Sequence, residues 1–311
     1  MPTTKLSVVI PAYNEQENIP LLLQRLRSTI EKMRDVESEF IFVDDHSTDA
    51  TPTLIFEEHA RDPRVKLIRL SRNSGSHVAL QAGLSCCSGD IAVTLSADLQ
   101  DPPEIIPLML DRIRFGKNIV WAVRETRKDG WWYRIRANLY YSLFKRFVLP
   151  GYPRKGADHF MIDRKILKAL IENPEKNTSL MALICWMGYE QDEVCFHRAK
   201  RHGGRSKWTF AKTFKLVIDS LISFSYLPIR VISFIGFLIS ILGFTYIITL
   251  LYRYFFLKIH GVEGWVSLMV VVVFLAGIQM MMLGILGEYL WRVFEETRRR
   301  PSYLIEKKVG W

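Results

Sequence analysis

Residues 40–49 read FIFVDDHSTD: a β-type apolar run followed at once by three carboxylates, Asp44, Asp45 and Asp49. Similar runs recur at LSVVI (6–10), VKLIRL (65–70), IAVTL (91–95) and NIVWAV (118–123), with helical patterns between them. That alternation predicts crossover helices and a mainly parallel sheet, an α/β fold. Ligands of open parallel sheets bind beyond the carboxyl ends of the strands. The unusual residues fall there: PAYNE (11–15) after the first strand, DDHSTD (44–49) after the second and SADLQDPPE (96–104) after the fourth. The carboxylates are therefore expected to line one rim.

This acidic rim belongs to a basic chain. The 311 residues carry a formal charge of +10 and are 49% hydrophobic, ample for a sizeable core and against disorder. Cys86, Cys87, Cys185 and Cys195 form no C-x-x-C pair and have no histidine at zinc spacing, which argues against a disulfide framework or structural metal. Reduced thiols of a cytosolic compartment fit them. Pro2 leads into LSVVI with no apolar signal region.

Two runs near the C-terminus carry no charge at all, Val231 to Leu251 and Val266 to Leu286, each 21 residues long. About 20 apolar residues suffice for a helix to cross a bilayer, so two transmembrane helices are expected, rather than core helices of a soluble fold. Lys207, Lys212, Lys215 and Arg230 precede them, and Arg292, Arg298, Arg299, Arg300, Lys307 and Lys308 follow; the only Lys or Arg in the connecting residues 252–264 are Arg253 and Lys258. The positive-inside rule then predicts a multi-pass membrane protein with both termini cytoplasmic and a short loop outside. The expected division is a cytoplasmic catalytic domain, 1–227, and a membrane part, 228–311, ending in a basic tail.

Positive charge also concentrates earlier. Residues 124–155 hold nine Lys or Arg against Glu125 and Asp129, and residues 198–215 hold seven with no acid. Both segments interleave aromatics. Trp132, Ile135, Leu139, Leu143 and Phe147 share one helical face, and Phe210, Phe214, Val217, Leu221 and Phe224 share another. Amphipathic helices are thus expected near 131–148 and 208–226, of the basic and aromatic kind that lies on a membrane surface. Nucleic acid is the rival partner for such patches. With apolar spans following directly, anionic lipid is the more economical partner and no nucleic acid is expected.

Carboxylates at a sheet rim accept hydrogen bonds from ribose hydroxyls, and an Asp with a neighbouring oxygen ligand binds Mg²⁺ or Mn²⁺, which neutralises a diphosphate. A nucleotide-diphosphate donor satisfies both. Taken singly, Ser47 or Asp49 reads equally well as the N-cap of the helix that follows.

Taken in order, VVIPAYNEQENI (8–19), FVDDHSTDAT (42–51), RNSGSHVALQAGL (72–84), ADLQDPPE (97–104), WAVR (121–124), GADHFMIDR (156–164) and RHGGRSKW (201–208) resemble the motifs of glycosyltransferase family 2 enzymes of GT-A fold. The resemblance is closer to the polyprenyl-phosphate glycosyltransferases, which include dolichyl-phosphate mannose synthases and bacterial undecaprenyl-phosphate glucosyltransferases, and it covers essentially the whole chain. It implies that Pro11, Tyr13, Glu15, Asp44 and Asp45 bind the donor nucleotide, that Arg72, Asn73 and Gly75 belong to the same pocket, and that Asp98 and Gln100 ligate Mg²⁺ or Mn²⁺ under the diphosphate. The family often has D-A-D-L-Q where this chain has Ser96-Ala97-Asp98-Leu99-Gln100. The metal shell is one charge poorer, because serine offers only a neutral oxygen.

A polyprenyl phosphate acceptor explains the basic segments, since a phosphomonoester of charge about −1.5 to −2 calls for Arg and Lys partners. Arg124, Arg134, Arg201, Ser206 and Lys207 are the candidates. The acceptor oxygen is already anionic near neutral pH, so a general base is less needed than for a sugar hydroxyl. Asp158 matches a family carboxylate near the acceptor and could orient it, stabilise charge on the sugar, or act as base. The resemblance implies inverting transfer, best read as glucose from UDP-glucose to undecaprenyl phosphate, with mannose or a modified pentose as alternatives. A processive polysaccharide synthase would add a Q-x-x-R-W motif and further spans, and neither is present. A non-catalytic lipid-binding scaffold or flippase subunit leaves the rim unexplained. A homo-oligomer is compatible with all of this.

Overall fold

A computed structural model describes residues 3–124, 149, 151–153, 157, 159–175, 178–197, 227–257 and 264–311. They fall into two compact units, the first combining the N-terminal two-thirds of the chain with Pro301–Trp311, the second being Leu221–Arg300.

The first unit is built on β1 (Thr4–Ala12), β2 (Val36–Asp44), β3 (Val65–Leu70) and β4 (Ile91–Thr94), linked by α1 (Ile19–Glu31), α2 (Thr51–Arg61) and α3 (Ser76–Leu84). Beyond them come α4 (Ile106–Arg114), β5 (Ile119–Arg124), β6 (His159–Asp163), α5 (Arg164–Glu172), α6 (Leu180–Trp186) and β7 (Gln191–Phe196). With β8 (Ile305–Val309) they form one eight-stranded sheet of order β7-β5-β6-β4-β1-β2-β3-β8. The pairs β1–β2, β1–β4, β2–β3 and β5–β7 are parallel, and only β6 and β8 run against the rest. The expected GT-A-like, mostly parallel α/β fold is present.

Central strands of such a sheet are covered on both faces, which is why they read as unbroken apolar runs rather than alternating ones. Val8, Val9 and Ile10 of β1 and Phe40, Ile41, Phe42 and Val43 of β2 are all fully buried. One face packs on α1 through Ile19, Leu22, Leu23 and Leu26. On the other, α3 comes so close that a Cβ on Gly83 would collide with Val9 and lie 2.9 Å from Val43 Cγ2. Glycine at that position lets the helix that follows the 72–75 turn sit directly against the two rim-forming strands.

A second buried link is polar. Glu39 accepts hydrogen bonds from the Ser7 hydroxyl (2.5 Å), the Ser88 amide (2.7 Å) and Lys66 Nζ (2.7 Å). Burial opposes its charge, yet Lys66, Ser7 and Ser88 together hold its carboxyl below the usual range.

The second unit holds α7 (Leu227–Phe255) and α8 (Trp265–Thr297), which touch one another and leave apolar side chains such as Phe237, Leu242, Val273 and Met280 exposed. Among the described residues, Val271–Thr297 is long and apolar enough to cross a membrane, whereas the apolar stretch of α7, Ile232–Tyr246, is shorter. Of the two spanning helices expected, one is present among the described residues as a candidate, by length and composition. The amphipathic helices expected near 131–148 and 208–226 lie outside the described residues.

The clearest departure from the sequence reading follows the second long helix. Arg299 takes a left-handed conformation (φ 48°), and Pro301 cannot continue a helix. The residues expected to form a basic tail then pair antiparallel with β3, Leu67 opposite Val309 and Arg69 opposite Lys307. Tyr303 and Ser85 hydroxyls are 2.8 Å apart, Trp311 Nε1 donates to the Cys86 carbonyl (3.2 Å), and Lys308 Nζ lies 4.3 Å from the Trp311 ring centroid. The tail is one of the sheet's two edge strands. Its Lys307 and Lys308 supply the charge that natural edges use against further pairing.

Ending the chain at Arg300 would strip this strand from β3. It would remove several backbone hydrogen bonds, each about 0.5–1.5 kcal/mol, together with the packing of Trp311, so a destabilisation of about 2–4 kcal/mol is expected. At roughly 2–4 °C per kcal/mol for a domain of this size, thermal unfolding followed in detergent should shift down by about 4–16 °C. An unshifted transition would show that the strand is dispensable.

Candidate active site

Because β1, β2 and β4 run in the same direction, their carboxyl ends open on one edge. Ala12 stands opposite Asp44, and Asp44 in turn opposite Arg69 of β3. The loops that leave these strands are fastened to each other by side chains. The Asn14 amide donates to Ser47 Oγ (2.9 Å), Thr48 N to Asn14 Oδ1 (2.9 Å), Glu15 N to Thr51 Oγ1 (2.9 Å) and Ala50 N to Gln16 Oε1 (3.0 Å). Asn14 and His46 sit at positive φ, 54° and 63°, so each loop turns sharply as it leaves its strand. Asp49 accepts from the Thr51 amide at the start of α2 (3.0 Å), although the N-cap residue itself is Ala50. Much of DDHSTD thus fixes loop shape.

Four aspartates of this region, Asp44, Asp45, Asp98 and Asp101, are buried. Buried carboxylates need compensating partners, and each has a different one. Asp45 accepts from the Ser74 amide (2.7 Å) and the Gly75 amide (2.8 Å), one on each oxygen. Gly75 has φ 90°, a conformation that a side chain disfavours. Burial raises the pKa of Asp45 and the two amides oppose the rise. Assigned to the donor from the resemblance, Asp45 acts by holding the turn that carries the exposed Arg72 and Asn73.

Asp98 follows β4. Its Oδ1 accepts from the Ser96 hydroxyl (2.6 Å) and from the Gln100 amide (3.2 Å), around a reversal at Leu99 (φ 60°). Ser96, standing where a second carboxylate often stands in the resembling family, orients Asp98 instead of adding charge. No group of three His, Cys, Asp or Glu able to hold a metal occurs among the described residues. One carboxylate beside neutral oxygens does fit a hard cation that keeps waters and draws further ligands from a diphosphate.

Asp101 meets a histidine of β6. Its Oδ2 is 2.6 Å from His159 Nε2, and both side chains are buried. The pair ties the 98–101 loop to the first residue of β6, next in sequence to Asp158. The signal was present in DLQD and ADHF but needs the β4–β6 pairing to be read.

Asp44 is fully buried at the end of β2. Its Oδ1 accepts from the Ser47 amide (3.1 Å), while Oδ2 has no hydrogen-bond partner and lies 3.7 Å from Arg69 Nε. Burial pushes its carboxyl up, against Ser47 and Arg69, which lower it. Pro11, Tyr13 and Glu15 are half-buried around the same edge, and Glu15 accepts from Asn18 Nδ2 (2.6 Å). Arg124 ends β5, also half-buried. Asp158, Arg134, Arg201, Ser206 and Lys207 lie outside the described residues. The structure therefore brings the donor-side candidates to one edge, and of the acceptor-side candidates it places Arg124.

Comparison with known proteins identifies the family. An uncharacterised glycosyltransferase of Synechocystis is 36% identical over 99% of this chain and 96% of its own length. A bactoprenol glucosyl transferase of prophage origin in Shigella flexneri is 34% identical over 97% of this chain and 98% of its own. An uncharacterised glycosyltransferase of Bacillus subtilis is 34% identical over 98% and 94%. Residues 7–171, which run from β1 through β6 and most of α5 and so contain the whole acidic rim, match the family described as glycosyl transferase family 2. The chain is a glycosyltransferase and belongs to that family.

Proposed function

We propose that this glycosyltransferase moves a sugar, glucose from UDP-glucose in the best reading, onto a polyprenyl phosphate at the cytoplasmic face of a membrane. The observation that carries the reading is how far the likeness extends. The Shigella flexneri bactoprenol glucosyl transferase matches over 97% of the chain, well past residue 171 where the family domain ends and through the two long helices.

In this reading Asp44 takes a hydroxyl or N–H of the nucleoside, the turn held by Asp45 closes on it, and Asp98 with Gln100 would hold Mg²⁺ or Mn²⁺. That ion, when bound, would offset charge on the diphosphate as it leaves. The acceptor phosphate oxygen forms the new bond to the anomeric carbon while the bond from that carbon to the diphosphate oxygen breaks, inverting the centre. Arg124, Arg134, Arg201, Ser206 and Lys207 are assigned to the acceptor phosphate. Asp158 is assigned to positioning it, since the nucleophile arrives already ionised. The Asp101–His159 pair supports that assignment by tying the strand that follows Asp158 to the Asp98 loop.

Two membrane crossings are part of the proposal. The segments on either side of the helical unit belong to one sheet, with β8 paired to β3. A chain that leaves one side of a bilayer and rejoins the same sheet has crossed an even number of times. α7, at 29 residues, is long enough to span at about 1.5 Å per residue. The catalytic unit and both ends of the helical segment are then cytoplasmic.

The direct test is incubation of the purified protein with a panel of nucleotide sugars and undecaprenyl phosphate, followed by mass measurement of the lipid. A gain of one hexose with UDP-glucose is expected; no product from any donor would refute the reading. Asp98→Asn keeps size but removes the charge that makes a hard-cation ligand effective. Transfer should fall at least about 100-fold, roughly the effect of 2.7 kcal/mol, and manganese should no longer tighten nucleotide binding. Unchanged metal dependence would place the ion elsewhere. For topology, Gly261→Cys should react with an impermeant maleimide on intact cells, and Ser302→Cys only after permeabilisation. Labelling of both from outside would contradict two crossings.

A further inference from the structure

Arg69 stands between two carboxylates. Its Nε is 3.1 Å from Glu306 Oε2 on β8 and 3.7 Å from Asp44 Oδ2 on the rim. Glu306 is also 3.7 Å from His46 Nδ1, in the loop that leaves Asp44. Asp44 is fully buried, Arg69 is 29% exposed at its side chain and Glu306 50%. Neither contact of the Nε–H is a hydrogen bond, and both Asp44 Oδ2 and Arg69 Nε are buried atoms without such a partner.

This arrangement is unexpected on electrostatic grounds. An isolated buried carboxylate attracts a neighbouring guanidinium more strongly than a half-exposed one does, because water screens the latter. Left alone with Asp44, Arg69 would close to hydrogen-bond distance and occupy Oδ2. It leans toward Glu306 instead. The register of β8 on β3 sets this up, because Lys307 stands opposite Arg69 and a bulge next to it displaces the neighbouring residue.

We infer that Glu306 is a positioning residue for the donor site: it holds the Arg69 guanidinium off Asp44, so that the buried carboxylate keeps one oxygen for the nucleoside. The strand that follows the helical unit thereby completes the nucleotide pocket as well as the sheet. Arg69 stays charge-compensated by Glu306 when the donor takes Asp44, and the donor need not break a buried hydrogen bond between Arg69 and Asp44 to enter. This rests on the donor-site reading of Asp44 given above.

The test uses the full-length protein in detergent. Binding of UDP and, in parallel, GDP is measured by calorimetry with Mn²⁺ present, together with donor KM and kcat. Glu306→Gln keeps the side chain's size and removes its charge. It should weaken nucleotide binding and raise donor KM about tenfold, with kcat at saturating donor and the melting temperature unchanged. In an Arg69→Met background the same Glu306→Gln change should have no further effect, because the guanidinium it restrains is gone. Lys308→Gln, which loosens the Trp311 contact without touching Arg69, should bind nucleotide as the wild type does. Wild-type affinity in Glu306→Gln would overturn the inference, as would an undiminished loss in the Arg69→Met background or an equal loss in Lys308→Gln. If the wild-type protein itself binds neither nucleotide, the donor-site reading falls first and the role of Glu306 with it.

Discussion

Parallel pairing of β1 with β2 and with β4 is the constraint on which the rest depends. Parallel neighbours deliver their carboxyl ends to one edge of the sheet, so residues distant in sequence, Pro11, Asp44 and Asp98, arrive there through the backbone ladder. The stretches of strand that lead to that edge are then apolar, since helices cover both faces. The rim's polar groups fall at the strand ends and in the loops, and the loops need their own scaffolding. Asn14, Gln16, Ser47, Asp49 and Thr51 supply it by bonding across the β1 and β2 exits.

The acidic stretch after β2 divides by role. Asp44 is the rim carboxylate with an acceptor oxygen to spare, Asp45 clamps the turn before α3, and Asp49 tightens the entry to α2. A cluster of three acids after a strand looks uniform as letters. In the fold its members face different partners, and Asp44 alone among them has a buried oxygen without a hydrogen bond. Asp98 and Asp101 divide in their own way: Asp98 is oriented by Ser96, and Asp101, three residues on, has one oxygen on His159.

The five strands expected from apolar runs are all present, with VKLIRL matched end to end, because buried parallel strands advertise themselves by composition. β6, β7 and β8 do not announce themselves in this way. HFMID and QDEVCF are short or mixed in polarity, and IEKKV has only two apolar residues, being an edge strand with little of its surface inside. Edge strands are stabilised by a backbone ladder that any sequence can form, so their letters carry little signal. The rim residues were legible because motif order added long-range information to local pattern. Arg69, Glu306 and the Asp101–His159 pair were not, since each depends on which strands lie side by side.

The position of β8 also bears on how the protein is made. Pro301–Trp311 leaves the ribosome only after both long helices have been synthesised. Until then β3 is an open edge, with unpaired amides and carbonyls beside Arg69 and no Trp311 to cover Lys66. An exposed edge invites pairing with other chains. Closure of the sheet therefore waits on completion of the helical segment, and a chain that stalls or is cut before residue 301 is left with a sticky, unfinished enzyme that quality control can recognise.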